Sequence, residues 1–355
     1  MTSLKRFKET VYFGKPDRVF MWSQWIFNET IKRWQNEGMP KDVHFRTYFG
    51  FDRAEMAPIN LGFVPSPESK IIEEDKETAI YIDEIGNKWK RWKNREIGMS
   101  QWLEFGLKGR NDWEKFKERL NPNSPIRYPE YWDDWKTSVK KRDYPLGISA
   151  GSFYGWPRNW VGMENLSVMF YDDPIFVKEI INYIADFVCK TLEKAVSEIK
   201  FDFALIWEDL GMKTGPLISP KLFEEFCLPA YKKVTGFLRN YGIDVIMVDS
   251  DGNNDVIIPL WLEGGVNGVY PLEVAANTDA VELRKKYGKK LILMGNIDKR
   301  ALIKTKKEVE EEVMKKVPYL IKNGGYMPMV DHAVPPDVPL ENFKYYLELI
   351  EKIQK

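Results

Sequence analysis

The sequence predicts an α/β fold, a (β/α)₈ TIM barrel, on three observations. Short apolar runs alternate with helical stretches, eight such runs can be counted, and the first is not followed by a phosphate-binding glycine pattern. The last point disfavours the main competitor, a doubly wound open sheet, which carries such glycines after its first strand. After the first run the chain reads SQWIFN instead.

Five runs lie in the second half: 201–207 (FDFALIW), 243–248 (IDVIMV), 266–270 (VNGVY), 290–294 (KLILM) and 326–330 (YMPMV). Each is short, almost continuously apolar and rich in β-branched or aromatic residues, as strands buried on both faces are. Three more come earlier: 18–22 (RVFMW), 44–50 (HFRTYFG) and 145–150 (PLGISA). Helix starts separate them. Asp173-Pro174 and Ser219-Pro220 each read as an N-cap followed by a first-turn proline, and Thr305 with Glu308 as a capping box. A last helix is expected from near Leu340.

The 355 residues fit one large barrel domain, 1–355, and 44% hydrophobic content supplies a sizeable core. Residues 66–143 break the rhythm and hold six of the 13 tryptophans: Trp89, Trp92, Trp102, Trp113, Trp132 and Trp135. They predict an elaborated insertion after strand two, with a hairpin turning near Gly86-Asn87. Its role is either a lid over the barrel mouth or a surface subdomain.

Lys plus Arg and Asp plus Glu both number 53, so no net charge favours nucleic acid or an anionic membrane. The N-terminus has no apolar leader and no run approaches the roughly 20 apolar residues of a membrane span. A cytoplasmic protein is expected, with Cys189 and Cys227 as buried thiols rather than a disulfide. The sequence leaves the oligomeric state open.

Catalytic groups of a barrel come from the C-terminal ends of its strands. That rule selects Trp22 and Gln24 after strand one, Asp52 after strand two, and Tyr154 after strand three. It selects Trp207, Glu208 and Asp209 after strand four, and Asp249, Asp251 and Asn253 after strand five. Tyr270 and Glu273 follow strand six, and His332 follows strand eight. So many carboxylates in one mouth require protonation, a cation, or a cationic substrate. Asp249 and Asp251 lie two apart and can face one ligand, with His332 completing a divalent-metal set. The alternative is an Asp-Gly turn in which Asp249 caps the following helix. Glu208 and Asp209 can instead hold neighbouring loops, while Trp22, Gln24, Tyr154, Trp207, Asn253, Tyr270 and Glu273 are expected as pocket walls and substrate contacts.

Several segments resemble the uroporphyrinogen decarboxylase superfamily, which also contains cobamide-using methyltransferases. They include Gly14-Lys15-Pro16-Asp17-Arg18-Val19, Phe170-Tyr171-Asp172-Asp173-Pro174, Ser219-Pro220-Lys221-Leu222-Phe223, Gly295-Asn296-Ile297-Asp298 and His332-Ala333-Val334-Pro335-Pro336-Asp337. The resemblance implies a (β/α)₈ barrel. His332 matches the decarboxylase histidine, and Asp52, with Pro58 and Leu61-Gly62, resembles the segment carrying the decarboxylase's catalytic aspartate. The decarboxylases also carry an arginine-rich loop after strand one, where this chain has Trp22-Ser23-Gln24-Trp25-Ile26-Phe27-Asn28. The methyltransferases carry a His-x-Cys-Gly-Asn zinc segment after strand five. Here it reads Asp249-Ser250-Asp251-Gly252-Asn253, which keeps the glycine and asparagine and replaces both ligands by carboxylates. The resemblance therefore points to methyl transfer from a small methylated ether or amine to a corrinoid carried on a partner protein. Asp249, Asp251, His332, Glu208 and Asp52 would be the catalytic groups, and a divalent metal could sit on Asp249, Asp251 and His332. Decarboxylation in tetrapyrrole synthesis and a non-catalytic ligand-binding barrel are the alternatives.

Overall fold

The computed structural model describes residues 1–22, 25–93 and 100–354. Seven parallel strands form one sheet whose spatial order is their chain order: Glu55–Met56, Leu146–Ser149, Phe203–Trp207, Ile246–Asp249, Gly268–Tyr270, Ile292–Ile297 and Tyr326–Val330. Sequential parallel neighbours joined by helical crossovers make the sheet curl as in a TIM barrel.

Alternation along the strands sorts side chains into two cores. Ala204, Ile206, Ile246, Val248 and Leu293 pack into the layer between sheet and helices. Phe203, Met247, Ile292, Met294, Met327 and Met329 form a second cluster on the other face of the sheet, which is the barrel lumen. Both faces are dry, which explains the continuous apolar runs. The helix Ser3–Val11 stoppers the lumen at the strand starts with Phe7 and Val11, and Phe7 meets Phe203 at 5.4 Å between ring centroids.

The helix starts follow the capping chemistry. Asp173 accepts from the Phe176 N–H, Ser219 accepts from the Leu222 N–H, and Thr305 and Glu308 form the reciprocal capping box. The last helix runs Leu340–Ile353.

The first half differs from expectation. Residues 44–50 do not form a strand. Phe45–Tyr48 is a helical turn, capped by the His44 imidazole, which accepts from the Arg46 N–H at 3.2 Å. Phe45, Tyr48 and Phe49, three and four residues apart, turn toward the core together, so their aromatic content served a helical face. The second strand is the two-residue Glu55–Met56. Residues 18–22 do not form a strand. The Asp52 carboxylate accepts the Met21 N–H at 2.8 Å, while the Asp52 N–H donates to the Met21 carbonyl at 3.0 Å. Further on, Ile26 bridges Val334 in parallel. Met21 and Ile26 thus reach the surroundings of the two outer strands of the sheet.

The segment expected as an insertion holds a four-stranded antiparallel sheet, Lys70–Glu74, Thr78–Ile82, Lys88–Trp92 and Gln101–Glu104, with the expected turn at 83–87. Its later tryptophans anchor on the outside of the 25-residue helix Pro174–Glu198. The buried Trp113 donates to Glu179 at 2.8 Å and Trp132 to Glu198 at 2.9 Å. No helix among the described residues is long and apolar enough to cross a membrane. Cys189 and Cys227 are free, the first half-buried and the second buried.

Candidate active site

A cavity of about 220 Å³ opens at the C-terminal ends of the strands. Trp207, Asp249 and Tyr270 end three adjacent strands in register, Asp249 pairing with Trp207 on one side and with Tyr270 on the other. Met294 and Met329, at the top of the lumen core, lie beneath. Trp22, Trp25, Asp209, Asp251, Pro271, His332 and Ala333 complete the lining. No residue of 66–143 lines it among the described residues, so the insertion supplies no wall there.

Asp249 is the electrostatic centre. No hydrogen bond or ion pair reaches its carboxyl among the described residues. Burial, reinforced by the Asp251 and Asp209 charges, pushes its pKa up to about 7, with His332 pulling weakly the other way. The helix that follows, Ile258–Glu263, has Ile257 at its N-cap, so Asp249 is not a capping residue.

Asp251 accepts from the His332 Nε2–H at 3.1 Å, and this bond, with the same carboxylate's charge, holds the imidazole above its ordinary pKa. The indole of Trp25 leans on His332 at 5.8 Å between centroids and is itself two-thirds exposed at the mouth. Gly252 makes this loop feasible. It has a φ of +77°, and a Cβ there would stand 2.3 Å from the Gly211 carbonyl carbon.

The metal set expected from the sequence changes its membership. Asp251, Glu273 and His332 bring one candidate ligand atom each within 4.8 Å of one another, and Asp249 is not among them. Each already has a partner: His332 for Asp251, and for Glu273 the Gly252 N–H at 2.9 Å and the Lys299 ammonium at 3.4 Å. Carboxylate and cation alternate through the four groups.

Four expected site residues do other work. Glu208 is fully buried and accepts five hydrogen bonds, from the Ser152 and Tyr231 hydroxyls and the Phe153, Tyr154 and Gly155 N–H groups, at 2.7–2.9 Å. It ties two loops together and does not line the cavity. Tyr154 is buried away from the cavity, its hydroxyl without a partner among the described residues and hard to ionise. Asn253 spans its loop, donating to the Ala276 carbonyl at 3.0 Å and accepting from the Asp255 N–H at 3.2 Å. Asp52 is clamped between Arg6 at 2.5 Å and Arg18 at 2.7 Å, beside a separate, more polar hollow. Asp52→Ala would leave Arg6 to Asp17 alone and take the shared carboxylate from Arg18 and the Met21 N–H, and we expect a loss of about 3 kcal/mol in urea unfolding, with the mouth cavity unaffected. Gln24 lies outside the described residues.

Trp25, Met294 and Met329 line the cavity although the strand-end rule did not select them, and Asp209, which it selected as a possible holder of neighbouring loops, lines it too. Asp209 sits at φ +47° with its carboxylate on Arg158 at 2.8 Å, and Arg158 lies 5.7 Å over the Trp207 ring. Its position directly after a strand end was the available signal. The two methionines are continuous with the strand runs and looked like core.

Fold and cavity together define a barrel-type α/β protein with an acidic, aromatic site at its strand ends. Residues 137–353 match the family model described as uroporphyrinogen decarboxylase (URO-D), and the chain belongs to that family. It is 22% identical over 206 residues to the uroporphyrinogen decarboxylase of Ruthia magnifica subsp. Calyptogena magnifica, covering 57% of this chain and 55% of the relative. It is 28% identical over 142 residues to that of Legionella pneumophila strain Paris, covering 39% of each. The chain thus spans about half the length, or less, of these curated relatives. Over 99% of both chains its fold is similar to a methyltransferase from Methanosarcina mazei, with a TM-score of 0.63 at 13% identity.

Proposed function

We propose that the protein moves a methyl group from a small methylated ether or amine to a corrinoid carrier, with Asp249 as the proton donor to the leaving atom. The observation that carries this is the Asp249 carboxyl, unpartnered among the described residues, half-protonated near neutral pH and set in an aromatic cavity. An acid poised near the working pH is what departure of an oxygen or nitrogen requires, because the bare anion leaves poorly. As the carbon–heteroatom bond opens, both electrons stay on the heteroatom and the Asp249 proton joins it. His332, whose pKa the Asp251 carboxylate raises above the ordinary value, returns a proton to Asp249 between turnovers. Trp22, Trp207, Tyr270, Met294 and Met329 exclude water from the reacting groups. A corrinoid, when docked, supplies the nucleophile that takes the methyl group. The corrin ring is too large for about 220 Å³, so its carrier would stand at the mouth, beside the exposed Trp25.

The alternating charges of Asp251, His332, Glu273 and Lys299 form a balanced rim that needs no metal. A divalent ion there would have to displace the His332 proton and stand beside an ammonium. Elemental analysis of purified protein is expected to find substoichiometric divalent metal, and one tightly held ion per chain would replace this reading of the rim.

The relatives' names favour a second reading, decarboxylation of a porphyrinogen. The cavity volume falls below the ~300 Å³ where drug-sized pockets begin, its lining holds no arginine, and Arg158, which lies over the lining Trp207, is committed to Asp209. An octa-anionic substrate has neither room nor counter-charge there. Incubation with reduced cobalamin and a panel of methyl ethers and methylamines, in parallel with uroporphyrinogen III, separates the two. Methylated cobalamin without coproporphyrinogen is expected, and coproporphyrinogen formation would overturn the proposal.

A further inference from the structure

Resting on the methyl-transfer reading, we infer that the substrate is a methylated ammonium cation, held in an aromatic cage of Trp22, Trp25, Trp207 and Tyr270. Four aromatic rings and three aspartates around one small cavity are an unusual combination. A neutral ether uses the rings and leaves Asp249 without a counterpart. An anion is repelled by them. A quaternary ammonium uses both, since its charge is spread over methyl groups that pack on ring faces and need no hydrogen-bond acceptor.

The charge inventory points the same way. Asp209 is paired with Arg158 at 2.8 Å, and Asp251 with His332 at 3.1 Å. Asp249, between Trp207 and Tyr270 in register, has no cationic partner among the described residues. A bound onium supplies the missing positive charge. The methionine floor, Met294 and Met329, offers polarizable thioethers that tolerate methyl groups of varied packing. In the reaction the C–N bond breaks with its electron pair on nitrogen, and the methyl passes to the reduced corrinoid. The amine leaves neutral, so the bond needs no acid to break, and Asp249, ionised while the cation is bound, then passes it a proton drawn from His332.

The test compares choline with 3,3-dimethylbutan-1-ol, which has the same shape with carbon in place of the charged nitrogen. Calorimetric titration of the intact protein, without corrinoid, is expected to show choline binding at least tenfold tighter. Trp25→Leu alters an exposed ring, so folding is not at stake, and it should weaken choline severalfold without affecting the alcohol. Equal binding of the two compounds, or demethylation of methyl ethers by a protein that does not bind choline, would overturn the inference while sparing methyl transfer. Selective choline binding without methyl transfer from any compound would support the cage and remove the proposed reaction instead.

Discussion

Asp249→Asn is expected to cut methyl transfer by about 10²–10⁴-fold, the usual worth of a positioned acid, and at the same time to make the protein more stable at pH 8. The two effects share one cause. Burial raises the folded-state pKa of Asp249 to about 7, far above the ordinary carboxylate value. The stability that its proton contributes is fully present below the unfolded-state pKa. It is lost as pH rises through about 7, where the folded protein must hold an unpaired carboxylate in a poorly hydrated site. Asparagine has the shape of the protonated acid and never bears that charge. The gap between variant and wild type should therefore be small at pH 4 and grow to about 1–3 kcal/mol by pH 8, after discounting for water at the cavity mouth. Urea unfolding at the two pH values measures it. A variant that loses both activity and stability at pH 8 would mean that Asp249 is structural.

Glu208→Gln should do the reverse. The buried carboxylate accepts from five donors, three of them backbone N–H groups of Phe153, Tyr154 and Gly155. An amide presents its own donors where only acceptors fit, and its oxygen cannot serve all five. Leaving buried donors unsatisfied costs about 1–3 kcal/mol each, more where a charge was the partner, so a loss of about 3–5 kcal/mol is expected. Activity per folded molecule should fall far less than in Asp249→Asn, since Glu208 does not line the cavity. A well-folded, inactive Glu208→Gln would return this residue to the catalytic set.

The contrast between these two carboxylates shows what the sequence could reveal. From about residue 145 onward, strand positions were legible because both sheet faces are buried and each run is apolar throughout. Before it, aromatic residues spaced three and four apart mimicked a strand at 44–50, and the true second strand, two residues long, has no pattern to read. In the site, Asp249, Asp251, His332, Trp207, Tyr270 and Trp22 were legible because a barrel places strand ends around one mouth. Glu208 and Asp52 stand near the same ends and were not separable from them. Their partners, Tyr231 for one and Arg6 and Arg18 for the other, come from distant parts of the chain, and only the fold brings them together. The methionine floor was hidden for the opposite reason, since a residue shared by core and cavity carries the signature of core.

The pH dependence of methyl transfer to reduced cobalamin, measured for wild type and Asp249→Asn with a substrate that does not itself titrate near neutrality, tests the central assignment most directly. The wild-type rate should fall as pH rises through about 7, where Asp249 gives up its proton, and the residual rate of the variant should lack that limb. A wild-type rate that is flat, or that rises through the same range, would contradict Asp249 as the acid.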